Sequence, residues 1–306
     1  MKKILKKNYK LYYALIYVFD KIMELYYKHI SNPERTVRQR YKRRLGREVE
    51  LENPKIFNDK IQWLKLNWYN PLAIKCADKY GVREIIREKL GSKYLNNLIA
   101  VYDSVDQIDL DKLPDSFVLK GTHGSGYNIV CKDKSKMNWS LEFRKMKRWL
   151  RNKYYLKNGE WVYKDITPRI ICEEFLFDEN QKNGLTDYKF FCFQGEPKYC
   201  QVIKDRKSGG TIDFYDMNWK HMEFTGLQDL PRSSNADPKP EKFQKMYNIA
   251  KILSENFPFV RVDLYYVQNK IYFGELTFFP RSGFGTFTPA KWNKKMGDLL
   301  ILPTKN

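Results

Sequence analysis

The sequence predicts an α+β protein in which a helical N-terminal region precedes antiparallel β-hairpins. Three observations carry this reading. Apolar residues recur at helical spacing early in the chain, at Tyr12 to Tyr26 and again at Phe57, Ile61, Trp63, Leu64 and Trp68. Later runs rich in Val, Tyr and Phe come in pairs around short turns. Tyr and Phe number 22 and 19 among 306 residues, and both favour strands.

The first helix has a stripe of Tyr12, Leu15, Ile16, Phe19, Ile22, Met23 and Tyr26, with Lys10, Asp20, Lys21, Glu24 and Lys28 elsewhere on the wheel. Lys2, Lys3, Lys6 and Lys7 precede it. Such a segment can lie on an anionic membrane surface, or it can pack on its own domain and leave a solvated basic tail. The apolar run from Leu11 to Phe19 is too short to span a bilayer and meets Asp20-Lys21 rather than a small-residue cleavage site. The next basic run, Arg35 to Arg47, resembles a nucleic-acid or acidic-polymer patch, although a solvated helix face is the commoner explanation of such a run. No helix-turn-helix, RNA-recognition or zinc-finger pattern accompanies it, so nucleic acid is a minor alternative.

The formal net charge is +20, and half of that excess lies between Lys2 and Glu48, where fourteen Lys or Arg face four acids. An anionic partner is implied, without a choice among nucleotide, polysaccharide, nucleic acid and membrane. The five cysteines lack C-x-x-C spacing, which argues against a disulfide framework or zinc site and fits a reducing cytosol.

Further elements follow from pattern. A helix from Pro71 to Leu90 is stopped by Gly91, and a strand covers Leu98 to Tyr102. Asp109-Leu110-Asp111 is a weak metal motif of the nucleotide-sugar kind. Phe117 to Val130 reads as strand, glycine loop, strand: Gly121, Gly124 and Gly126 expose backbone N–H groups that can fold over phosphates, with Lys120 as a fixed charge, or they form a plain turn. A helix is expected from Ser140 to Leu156. In the strand Ile170 to Leu176, adjacent Glu173 and Glu174 must face opposite ways. Tyr188 to Phe193 and Lys198 to Ile203 form a hairpin, and Glu241 to Asn256 a helix.

The last hairpin, Phe259 to Phe278, is the most informative. With a three-residue loop Gln268-Asn269-Lys270, Val267 pairs with Ile271, and counting back sets Asp263 opposite Glu275 and Arg261 opposite Thr277 on one face. Directly opposed carboxylates about 5 Å apart repel, so something cationic belongs between them. Mg²⁺ shared with phosphate oxygens is one answer, and nearby lysines or solvent another.

Taken in order, FNDKIQWLKL, DKYGVREII, VLKGTHGSGYNIVCKDK, DYKFFCFQGEPKY, VRVDLY and GELTFFPRSGFGTF resemble the TupA-like ATP-grasp family, named for teichuronopeptide biosynthesis, from about Phe57 to Leu302. The resemblance implies an ATP-grasp fold, two α+β subdomains whose antiparallel sheets grip ATP, preceded by a helical N-terminal region. It divides the chain into a basic amphipathic segment, 1–50, a helical region, 51–115, and an ATP-grasp-like catalytic region, 116–306. It implies ATP and Mg²⁺ as cofactors. Lys120, the loop of Gly121, His123, Gly124, Ser125 and Gly126, and Lys79 would hold phosphate, with Lys189 also at the nucleotide; Glu173 or Glu174 would meet adenine or ribose. Asp263 and Glu275 would bind Mg²⁺, with Thr277 where many relatives have Asn. Arg261, Arg206 and Arg281 are the catalytic expectations, Arg206 and Arg281 being placed, like Ser282, only by their position beside the site. The implied reaction is ATP-dependent carboxylate–amine ligation on an acidic sugar or polysaccharide precursor, in the cytoplasm or at the inner face of a membrane. A polysaccharide glycosyltransferase and a non-catalytic acidic-glycan or nucleic-acid binder are the alternatives.

Overall fold

A computed structural model describes residues 9–305 apart from 31, 182 and 206–208. Helices α1 (Tyr9–Leu25), α2 (Pro33–Leu45), α3 (Phe57–Asn67), α4 (Pro71–Ala77) and α5 (Val82–Leu90) come first. Strands β1 (Leu98–Tyr102), β2 (Phe117–Gly121) and β3 (Asn128–Cys131) precede α6 (Trp139–Arg151), α7 (Tyr154–Asn158) and β4 (Ile170–Glu174). Next come β5 (Asp187–Phe193), β6 (Glu196–Lys204), β7 (Thr211–Asp216) and β8 (Thr225–Gly226). The series continues with α8 (Phe243–Ser254), β9 (Phe259–Val267), β10 (Lys270–Thr277), β11 (Phe287–Thr288) and α9 (Lys291–Leu299).

Contacts group these into two compact units, Met1–Gln39 with Asn97–Phe175, and Arg40–Asn96 with Leu176–Asn306. The grouping is discontinuous, where the sequence suggests consecutive segments. Its cause lies in α3, which is buried nearly all round and bonds to distant chain: Lys60 Nζ donates to the carbonyls of Gly297 and Leu300 at 2.8 and 2.7 Å. Residues 51–96 therefore group with the C-terminal strands, and 97–115 with the first sheet.

The first unit holds an antiparallel sheet in the order β1-β4-β2-β3. Phe117, Leu119, Ile129, Cys131, Ile170 and Cys172 point from one face into a core with Met146 of α6, and Trp139 stacks on Phe117 with centroids 5.7 Å apart. Burial of such side chains contributes about 1.5–3 kcal/mol each for the larger ones. Strand alternation then puts Val118, Lys120, Ile171 and Glu173 on the opposite face.

The second unit holds a five-stranded sheet in the order β10-β9-β5-β6-β7, with β8 and β11 as a separate pair. Helix α8 covers the face carrying Phe190 and Cys192: Phe243 stacks on Phe190 at 5.6 Å, and Cys192 Sγ lies 3.9 Å from the Ala250 carbonyl. Asp187, Lys189, Arg261, Asp263, Glu275 and Thr277 occupy the other face by alternation.

Two expected helices are each broken at a polar residue, and at the first its side chain competes with the helical ladder. Asp78 accepts from Tyr80 N at 2.9 Å and separates α4 from α5. Asn152, whose Nδ2 donates to the Tyr127 hydroxyl at 2.7 Å, separates α6 from α7. Several members of the basic run in and after α2 are paired: Arg38 with Glu34 and Lys42 with Glu48 on the surface, Arg47 with the buried Asp59, while Arg44 lies over the Phe284 ring at 4.5 Å. Among the described residues no helix is long and apolar enough to cross a membrane.

Candidate functional site

The β9–β10 hairpin brings Asp263 opposite Glu275 and Arg261 opposite Thr277, by a different route from the one counted along the sequence. The loop is two residues, Gln268 and Asn269, both with positive φ (48° and 63°), and Val267 pairs with Lys270. That register alone would misalign the acids by one residue. A bulge between Phe273 and Glu275 restores it. Gly274 makes the bulge possible, because a Cβ there would stand 2.9 Å from the Asp263 carbonyl oxygen.

The acids extend into a polar row across the sheet, since Lys189 of β5 sits opposite Asp263 and Gln201 of β6 opposite Lys189. The cations that belong between the acids are protein side chains. Arg261 donates from Nε to Asp263 Oδ1 at 2.6 Å and from Nη2 to Asp263 Oδ2 at 2.7 Å; the same Nη2 reaches Glu275 Oε1 at 3.4 Å and Thr277 Oγ1 at 3.1 Å. Lys189 Nζ pairs with Asp263 Oδ2 and, at 3.0 Å, with Asp187 Oδ1. Burial opposes ionisation of Asp263 most strongly, yet Arg261 and Lys189 outweigh it and hold the carboxyl below its usual range. Asp187 is the member of this network that the sequence left unassigned, although it lies two residues before Lys189 and so shares its face.

Carboxylate oxygens suit a hard divalent cation, though a cation at Asp263 would have to displace a bond from Arg261 or Lys189, which hold both of its oxygens. Two cations face three carboxylates, so the cluster keeps a formal negative charge, and both contacts to Glu275 fall on Oε1, leaving Oε2. No group of three or more His, Cys, Asp or Glu at metal spacing exists among the described residues, so phosphate and water oxygens would have to complete such a shell.

In the first unit, Lys120 Nζ donates to Glu173 Oε2 at 2.6 Å, joining two of the sequence candidates across β2 and β4. Glu173 is buried and Glu174 exposed, the opposite orientation expected of neighbours in a strand. The glycine loop is built by aromatics. A Cβ on Gly121 would come within 3.0 Å of the Tyr127 side chain, and one on Gly124 within 2.8 Å of the Tyr154 ring; Tyr127 itself stacks on Trp149 at 5.2 Å. His123 is turned inward, 3% exposed, with Nε2 2.8 Å from the Trp149 carbonyl, so the expected nucleotide contact finds no support in its placement. Ser125 and Gly126, with φ +77° at Gly126, form the exposed tip.

Of the remaining candidates, Lys79 lies half-buried in the turn between α4 and α5. Arg206 lies outside the described residues. Arg281 is exposed on a left-handed turn with Ser282 and Gly283 (φ 51°, 56° and 72°), which α3 holds from one side: Gln62 Nε2 and Lys65 Nζ donate to the Ser282 carbonyl at 3.0 and 2.8 Å, and Asn58 Nδ2 to Gly283 at 2.9 Å. Asn58, Gln62 and Lys65 have no role assigned from sequence, although their spacing of four and three residues sets them on one helix face. Asp109 caps its own turn, accepting from Asp111 N at 3.1 Å and pairing with Lys112 at 3.1 Å.

The family model for TupA-like ATPgrasp matches residues 59–301, a span that contains Lys79, Lys120, Glu173, Lys189, Arg261, Asp263, Glu275 and Arg281. The chain belongs to this ATP-grasp family. Solved structures of low similarity include a D-alanine–D-alanine ligase from Bacillus anthracis, 15% identical over 79% of this chain and 68% of that one, with TM-score 0.44. The D-alanine–D-alanine ligase from Helicobacter pylori is 13% identical over 80% of this chain and 69% of that one, with TM-score 0.39. The ATP-grasp ligase PsnB, in a complex with minimal precursor, Mg and ADP, is 10% identical over 72% of this chain and 57% of that one, with TM-score 0.38. No curated protein matches the chain.

Proposed function

We propose that the protein is an ADP-forming carboxylate–amine ligase that joins an amino acid or amine to a uronic-acid unit of a surface polysaccharide or its precursor. The observation that carries this reading is the row Lys189–Asp263–Glu275 with Arg261 beside it, an acid–cation cluster on the strands where the family match lies. The net charge of +20 supports a polyanionic substrate.

Lys120 and the tip of the glycine loop, Ser125 and Gly126, bind ATP phosphates, with Lys189 and Lys79 as further basic contacts, and Glu174 or Glu173 accepts from ribose or adenine. Asp263 and Glu275, with the Thr277 hydroxyl, hold Mg²⁺, which supplies neutralisation of phosphate charge. The substrate carboxylate attacks the γ-phosphorus, the bridging P–O bond breaks and ADP leaves. The amine then attacks the acyl carbon of the acyl phosphate; a C–N bond forms, inorganic phosphate departs and the amine proton passes to solvent. Arg261 neutralises the transferring group and Arg281 orients the acidic sugar. Positioning and charge compensation carry such a transfer, and little acid–base catalysis is required.

The test is incubation of the purified protein with Mg·ATP, a panel of uronic acids and amino acids, reading ADP, phosphate and product mass. ADP formation that needs both substrates, with a product one water lighter than their sum, supports the ligase. Transfer from a sugar nucleotide without ATP rejects it in favour of a glycosyltransferase.

A further inference from the structure

Helix α1 has two apolar sides that differ in what covers them. Tyr12, Ile16, Met23 and Tyr27 are half-buried on the side that carries Asp20, whose carboxylate pairs with Arg148 of α6 through Nε at 2.8 Å and Nη2 at 3.0 Å. Arg151 of α6 also lies over the Tyr17 ring at 5.0 Å. The other side, Leu15, Val18, Phe19, Ile22, Leu25 and Tyr26, is 41–60% exposed. These positions recur every three or four residues and so form one stripe, whereas exposed apolar residues on soluble proteins are ordinarily scattered.

We propose that this stripe lies in the headgroup region of an anionic lipid bilayer, with α1 parallel to the membrane plane. The helix is not one that crosses a membrane. Its own stretch of sequence carries the charge such a surface attracts, seven Lys against two acids from Lys2 to Lys28, and Lys21 on α1 is itself half exposed. The same charge argues against a second copy as the occupant, because pairing two stripes would bring two strongly basic segments together. An anionic bilayer covers the apolar stripe and neutralises its flanks at once. The Asp20–Arg148 pair fixes the rotation of α1, so that the stripe faces away from the α6 side.

The experiment is co-sedimentation of the full chain with vesicles of phosphatidylcholine alone or with added phosphatidylserine. The chain should pellet with the anionic vesicles, not with phosphatidylcholine alone, and release as salt rises from about 0.1 to 1 M, where the screening length falls from about 10 to 3 Å. Phe19→Glu/Ile22→Glu should lower vesicle affinity at least tenfold with an unchanged melting temperature, and the milder Val18→Ser/Leu25→Ser should lower it less in the same direction. Equal pelleting of wild type and both variants overturns the proposal, as does failure of the wild type to pellet. A lipid-free dimer in sedimentation velocity that Phe19→Glu/Ile22→Glu abolishes overturns it too, and assigns the stripe to a second copy.

Discussion

The two sheets use charge differently. In the first unit one lysine meets one glutamate, and Lys120 keeps a quarter of its side chain exposed. In the second, Asp263 is 2% exposed and receives three charge-assisted bonds from two cations, one of which also spans to Glu275 and Thr277. A pair with one partly exposed member stays in reach of water, which compensates part of the loss when it is broken. A buried network costs several kcal/mol to break, because a removed partner leaves a desolvated charge behind. The contrast separates a partly solvated pair at Lys120 from a desolvated network around the proposed metal ligands.

Breaking the frame should give the largest effect. Arg261→Met strands Asp263 and exposes Glu275 to its repulsion, with an expected loss of about 3–5 kcal/mol in chemical denaturation. Lys120→Met should cost less in the same measurement, because Lys120 is a quarter exposed and water can reach the Glu173 it leaves, yet weaken ATP binding at least tenfold, as loss of a charged hydrogen bond worth about 1.5–3 kcal/mol requires. An equal stability loss in the two variants would erase the distinction between the sheets. Gly274→Val tests the bulge: crowding the Asp263 carbonyl should cost about 1–3 kcal/mol and lower Mg·ATP affinity with it.

Acid sharpens the comparison further. Because the folded pKa of Asp263 lies below its ordinary value of 3.8, its contribution to stability is complete above 3.8 and is lost as pH falls through the lower folded value. The stability gap between wild type and Asp263→Asn should therefore be flat near neutrality and narrow only below that range. The smallest effect concerns thiols. Burial pushes Cys172 in the first core up to about 12, and the described cysteines are all buried, so native protein should react with a thiol reagent at neutral pH only as fast as it opens.

Much of this was legible in the sequence because alternation and opposed charge are local. Asp263, Glu275, Arg261 and Thr277 could be set on one face from residue types alone, and Glu173 and Glu174 on opposite faces from adjacency. The loop length was not legible: a shorter turn and a bulge at Gly274 offset each other, and only the steric demand at the Asp263 carbonyl explains why a glycine stands there. The ion pair of Lys120 with Glu173 was hidden because 53 residues separate them, and His123 because the ring's environment comes from α6. The helix break at Asp78 rests on a side-chain bond to the Tyr80 N–H, and the break at Asn152 falls at a residue tied to Tyr127, neither of which periodicity registers.

The claim that the β9–β10 acids hold a nucleotide-bound metal is tested most directly by calorimetric titration of wild type and Glu275→Gln with ATP, once with Mg²⁺ and once with a chelator. Glu275 suits the test because it is the less buried acid and its loss leaves the Arg261–Asp263 bonds in place. The account predicts that the variant binds metal-free ATP as the wild type does and Mg·ATP at least tenfold more weakly. Equal affinity of both proteins for Mg·ATP would contradict it.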